Sequence, residues 1–157
     1  MPRIIPNLWF DTEALDAAEF YCGIFPSSEV TRVTHSTEAG PGEPGSVLTV
    51  DFTLDDQRFT AINGGPQFPF TEAVSLLVDC ADQAEVDRYW EALSDGGEEV
   101  QCGWLKDRYG LSWQVCPADL GDLLHDADPA RADRAVTAML AMVKIDIDAI
   151  RAAADGG

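Results

Sequence analysis

The chain has 157 residues, with 28 acidic side chains against 10 basic ones and a formal net charge of −18. Its hydrophobic fraction of 46 % suffices for a core and excludes long disorder. The cations are too few for nucleic acid or an anionic membrane surface, both of which are recognised by clustered Lys and Arg. No run reaches the ~20 apolar residues of a transmembrane helix, and no long apolar stretch after Arg3 marks a signal peptide. The four cysteines, Cys22, Cys80, Cys102 and Cys116, form no C-x-x-C pair. They read as reduced, mostly buried thiols of a cytoplasmic protein, with a disulfide or a catalytic Cys102 as alternatives. The acidity reads as a solvated surface, or else as an attractor for a cationic ligand.

Residues 4–10 (IIPNLWF) are rich in strand formers, and Asp11 or Thr12 is placed to cap the helix that follows. Ala14, Leu15, Ala18, Tyr21 and Cys22 give that helix its apolar face, and Phe25-Pro26 ends it. A strand over 28–36, a Gly/Pro loop over 38–45 and a strand over 46–54 come next. Asp55-Asp56 turns the chain into a return strand over 57–63, and Gly64-Gly65-Pro66 breaks it. The order then restarts. Residues 73–79 form a strand, and Asp82 caps a helix to about Leu93, with Val86, Tyr89, Trp90 and Leu93 on one stripe. Gly96-Gly97 stops this helix. Short strands at 98–102, 104–105 and 111–116 follow, the last two flanking a solvated turn at 106–110. Helical pieces over about 120–125, from Pro129 and after Asp146 make the tail.

Strand, helix and meander thus occur twice, and the aromatic ends of the two helices (Phe20-Tyr21, Tyr89-Trp90) align at one offset. The expected architecture is α+β, a single domain of two tandem βαβββ modules (1–66 and 67–116) with a helical tail (117–157). The two curved mixed sheets would enclose a cleft for a small molecule.

Four segments carry a family resemblance: Pro6–Asp11 (PNLWFD), Ala18–Tyr21 (AEFY), Asn63–Pro66 (NGGP) with Phe70–Ala73 (FTEA), and Gln101–Asp107 (QCGWLKD) with Tyr109–Gln114 (YGLSWQ). They resemble the PhnB-like branch of the vicinal-oxygen-chelate superfamily, which includes glyoxalase I, extradiol dioxygenases and bleomycin-resistance proteins. The resemblance spans nearly the whole chain. It implies the vicinal-oxygen-chelate fold, a homodimer, and metal ligands in the superfamily's enzymes on the first, fourth, fifth and eighth strands. Those positions fall near Ile5, with Asn7 and Trp9 on its face, and on Phe59, Ala73 and Gln114. Phe and Ala cannot bind a metal, and His35 and His125 lie elsewhere, so no cofactor or divalent metal is expected. The branch often carries a 3-demethylubiquinone methyltransferase name. No strand–Gly-rich loop–helix unit for S-adenosylmethionine accompanies it here.

Asn7, Trp9, Phe59, Ala61, Asn63, Ser75, Cys102, Trp104, Ser112 and Gln114 are the expected ligand-binding residues, grouped by two-residue spacing within strands. Aromatic walls with a few amides and hydroxyls suit a small, partly apolar molecule. With no carboxylate or imidazole in the set, only Cys102, Tyr109 and Glu72 could assist catalysis. The alternatives are a sequestering protein of the bleomycin-resistance type and a metal-dependent glyoxalase- or dioxygenase-like enzyme.

Overall fold

The computed structural model describes residues 1–157, which divide into two compact units, Met1–Phe70 and Thr71–Gly157. In the first unit, β1 (Asn7–Phe10), α1 (Ala14–Ile24), β2 (Glu29–His35), β3 (Val47–Leu54) and β4 (Gln57–Asn63) build a sheet of order β1-β4-β3-β2. β1 runs parallel to β4, and the other pairs are antiparallel. In the second, β5 (Ser75–Cys80), α2 (Gln83–Ser94), β6 (Glu98–Glu99), β7 (Trp104–Lys106) and β8 (Ser112–Pro117) repeat that topology as β5-β8-β7-β6, with β5 parallel to β8. The expected duplication of βαβββ modules is therefore present strand for strand. α3 (Leu120–Leu124), α4 (Pro129–Leu140) and α5 (Ile147–Ala154) complete the second unit.

α1 packs through small residues. Ala14, Ala17 and Ala18 are fully buried, so the helix lies close to the sheet, and Tyr21 stacks on Phe52 of β3. Because Asp55-Asp56 is a two-residue turn with both φ values positive, Leu54 pairs with Gln57 and Phe52 with Phe59. Phe52 and Phe59 stack at 5.4 Å on the α1 side. Leu8 and Phe10 join them, since Leu8 is in register with Ala61 and Phe10 with Asn63.

The cap of α1 differs from expectation. Neither Asp11 nor Thr12 caps it, and Glu13 at the cap position makes no side-chain cap bond. Asn63, at the end of β4, does this instead: its Oδ1 accepts from Ala14 N–H at 2.8 Å, and its Nδ2 donates to the Val47 carbonyl at 3.1 Å. Asn63→Ala leaves both backbone groups without that partner. The expected loss is about 1–2 kcal/mol, read as a shifted urea midpoint. An unchanged midpoint would contradict this role.

In the second unit the expected cap of α2, Asp82, holds, and α4 and α5 are capped in the same way. Asp82, Asp128 and Asp146 each accept a backbone N–H at the start of α2, α4 and α5. Leu120, Ala135, Ile145, Ile147, Ile150 and Ala154 form a core for the tail. The tail is tied back by Cys102 and Gly103 N–H groups donating to the Met142 and Val143 carbonyls, and by Gln83 bridging the Ile145 carbonyl and the Ile147 N–H.

The turn after β7 is not the solvated feature expected of it. Asp107 is 3 % exposed. Its Oδ1 accepts from the Tyr109 and Leu111 N–H groups, and its Oδ2 from Trp113 Nε1 at 2.9 Å. Lys106, expected in the same turn, belongs to β7.

Candidate functional site

Strand register separates the expected ligand-binding residues. In the first unit, Asn7 lies opposite Thr60 and Trp9 opposite Ile62, so these four share the face turned away from α1. Phe59, Ala61 and Asn63 occupy the other face, against α1. Their expected grouping with Asn7 and Trp9 is corrected accordingly. A two-residue spacing fixes the face within a strand but not the phase between neighbouring strands. Phe59 and Ala61 are core, and Asn63 is a helix cap.

Trp9 is committed locally. Its Nε1 donates to the Gly65 carbonyl at 2.9 Å, and its ring meets Phe68 edge-on at 5.0 Å. The indole lies so close to Gly64 that a Cβ there would collide with the ring, which gives the Asn63-Gly-Gly-Pro segment a packing purpose. On the same face a polar row crosses the sheet. Asp51 takes Arg32 in an ion pair at 2.7 Å and accepts from Thr60 Oγ1 at 2.9 Å.

The second unit brings four expected residues together. Ser75 is in register with Ser112, and Ser112 with Lys106; Leu77 is in register with Gln114, and Gln114 with Trp104. These two adjacent rows form the face of the second sheet away from α2. Trp113, Val115, Leu105 and Cys80 are buried on the opposite face, the helix side. Gln114 Nε2 donates to Ser75 Oγ at 3.0 Å. Lys106 pairs with Glu72, whose carboxyl is held below its usual range by hydrogen bonding and attraction to that ammonium. Both stay charged at neutral pH. Lys106 is a face residue that the sequence reading left in the turn, although it stands two residues after Trp104 and so shares its side.

Cys102 lies on the loop into β7 with φ +58, its N–H donated to the tail. All four thiols are free. Burial raises the Cys22 and Cys116 thiols above their ordinary value and pushes Cys80 up to about 12, so these three carry little thiolate at neutral pH.

The expected metal-ligand positions hold Phe59 in the core, Ala73 exposed and Gln114 on the face. No three His, Cys, Asp or Glu side chains stand together as a metal-holding group. No helix is long and apolar enough to cross a membrane.

The family model described as 3-demethylubiquinone-9 3-methyltransferase matches residues 2–116, which hold both sheets. The chain belongs to this PhnB-like family. Among solved structures, it is similar to the PhnB protein from Bacillus cereus, with 34 % identity over 74 % of this chain and 100 % of that one, at a TM-score of 0.68. Protein PA1353 from Pseudomonas aeruginosa is 18 % identical over 74 % of this chain and 98 % of that chain, at a TM-score of 0.63. FosX from Listeria monocytogenes, a fosfomycin resistance protein solved with Mn(II) and sulfate, is 15 % identical over 78 % and 94 %, at a TM-score of 0.52. The last two share the fold, that of the vicinal-oxygen-chelate superfamily. A comparison with curated proteins finds no match. α3, α4 and α5 lie beyond the residues that the PhnB-like family model matches.

Proposed function

We propose that this PhnB-like protein holds a small organic molecule, without a metal ion, on the face of the second sheet that carries Ser75, Trp104, Ser112 and Gln114. The supporting observation is that these four side chains fall on two adjacent register rows of one face. An indole beside hydroxyls and an amide offers an apolar wall and a few orienting hydrogen bonds, which is what small-ligand sites require. Of the carboxylates beside the set, Glu72 is engaged by Lys106, and Glu98 stands exposed opposite Lys106 on β6. No imidazole accompanies the set as a general base, which favours holding the molecule over transforming it. Sequestration of the bleomycin-resistance type is therefore the preferred reading.

The residues do not fit the divalent ion of the superfamily's enzymes. The four ligand positions offer one amide, Gln114, and three carbon side chains, Ile5, Phe59 and Ala73, whereas such an ion binds several carboxylates, imidazoles or thiolates. They do not fit S-adenosylmethionine either. β1 enters α1 through Asp11-Thr12-Glu13, and β5 enters α2 through Ala81-Asp82, with no Gly-rich turn in either. Each sheet has only one parallel pair, unlike a doubly wound nucleotide fold. The methyltransferase description is accordingly not carried over as an activity.

A thermal-shift screen of small organic molecules tests the reading. At a hundred times its Kd, a ligand of the native state adds about 2.7 kcal/mol, a rise of several degrees in a domain this size. Trp104→Ala and Gln114→Ala should fold and lose that rise. An undiminished rise in both variants would place the ligand elsewhere. We further propose a homodimer in a reducing cytoplasm. The exposed Leu77 and Val74 on or beside edge strand β5 and the four free thiols support it. A native mass of one chain, 17.0 kDa, would contradict the dimer.

A further inference from the structure

The second sheet carries a hydroxyl that the fold leaves unused. Ser112 is 1 % exposed, and its Oγ is a buried polar atom with no hydrogen-bond partner. Buried polar groups are nearly always paired, because an unpaired one has given up hydration for nothing. The register row of Ser112 and the next one supply several donors. Ser75 uses its oxygen to accept from Gln114, which leaves its own O–H to give. Gln114 keeps a second N–H, and Lys106, in register with Ser112, brings an ammonium. Against these stand the Gln114 amide oxygen and two carboxylates beside Lys106, Glu72 paired with it and the exposed Glu98 in register with it on β6. Two hydroxyls, an amide N–H and a cation suit a ligand group with two acceptor oxygens and a negative charge.

Lys106 already holds such a group. Glu72, on the segment before β5 and 59 % exposed at its side chain, places a carboxylate on the ammonium. A ligand carboxylate can replace it there at little structural cost, since Glu72 returns to water. The neighbouring row, with Trp104 and Leu77, offers a flat apolar body its place.

Resting on the reading of this face as a small-molecule site, we propose that it selects a flat or aromatic carboxylate. The carboxylate engages Ser112, Ser75 and Lys106, and the ring lies on Trp104. Recognition is local and runs against the overall charge of −18. The field of the whole chain favours cations, but solvent and salt screen it beyond roughly 10 Å, whereas these donors act at contact.

The test titrates the isotope-labelled whole chain with benzoate, benzyl alcohol and benzylammonium in turn. The Trp104 indole and the Gln114 side-chain amide are followed by NMR. Benzoate should move both signals to saturation and bind about tenfold tighter than either analogue. Ser112→Ala should weaken benzoate about tenfold and leave benzyl alcohol unchanged. Glu72→Gln alters only an exposed side chain and should tighten benzoate several-fold by releasing Lys106. Equal affinity for benzyl alcohol, or tighter binding of benzylammonium, overturns the carboxylate preference and leaves the small-molecule reading standing. Three titrations that move neither signal overturn the carboxylate proposal, and a thermal-shift screen in which every stabiliser acts undiminished on Trp104→Ala and Gln114→Ala overturns the small-molecule reading as well.

Discussion

Asp107→Ala is expected to cost about 3–5 kcal/mol, a fall of about 10 °C in Tm for a chain of this length. The substitution removes a carboxylate that receives three N–H groups, from Tyr109, Leu111 and Trp113. Trp113 and Leu111 are about 2 % exposed, so water cannot easily take over. The turn also depends on Gly97. A Cβ at that position would run into the backbone of Lys106 and Asp107, so the end of α2 and the start of the turn are packed main chain to main chain. Asp107→Asn should cost less, about 1–3 kcal/mol. The amide oxygen can still accept from the two backbone N–H groups, but its NH2 faces the Trp113 N–H, donor against donor. Denaturant melts of both variants check this order, and equal stability of the Ala and Asn forms would refute it.

Phe59→Ala should lower stability by about 3 kcal/mol, the lower end for burying and then deleting an aromatic ring. Phe59 is 7 % exposed and stacked on Phe52, beneath Tyr21 of α1. The same substitution should leave ligand affinity measured well below Tm unchanged, whereas Trp104→Ala should do the reverse. Phe59 thus separates the two faces of the fold by experiment. A Phe59→Ala chain of normal stability with lost binding would show that the ring belongs to a ligand site.

The duplication was readable because both helices carry their own punctuation. Phe25-Pro26 closes one and Gly96-Gly97 the other, and Asp82 opens the second. The faces were harder. Within β4 the spacing of Phe59, Ala61 and Asn63 is right, but its phase against β1 is set by a parallel pairing that no local residue announces. The hairpin did hold the missing fact. A two-residue turn at Asp55-Asp56 forces Phe52 opposite Phe59, and Phe52 alternates with polar Asp51 and Thr53. The cap of α1 by Asn63 and the burial of Asp107 were not legible. Both depend on residues brought together by the sheet, and Asn and Asp in a Gly-rich stretch read by default as turn formers. On the second sheet, Trp104, Ser112 and Gln114 were legible because they lie on the two strands of the β7–β8 hairpin, while Ser75 joins them through the parallel pairing of β5 with β8.

Native mass spectrometry of the chain with the strongest stabiliser from the screen tests the central claim most directly. One organic mass should be carried by the wild type, survive a chelator, and vanish in Trp104→Ala. An adduct that departs with the chelator, or one that Trp104→Ala retains in full, would contradict a metal-free site on the second sheet.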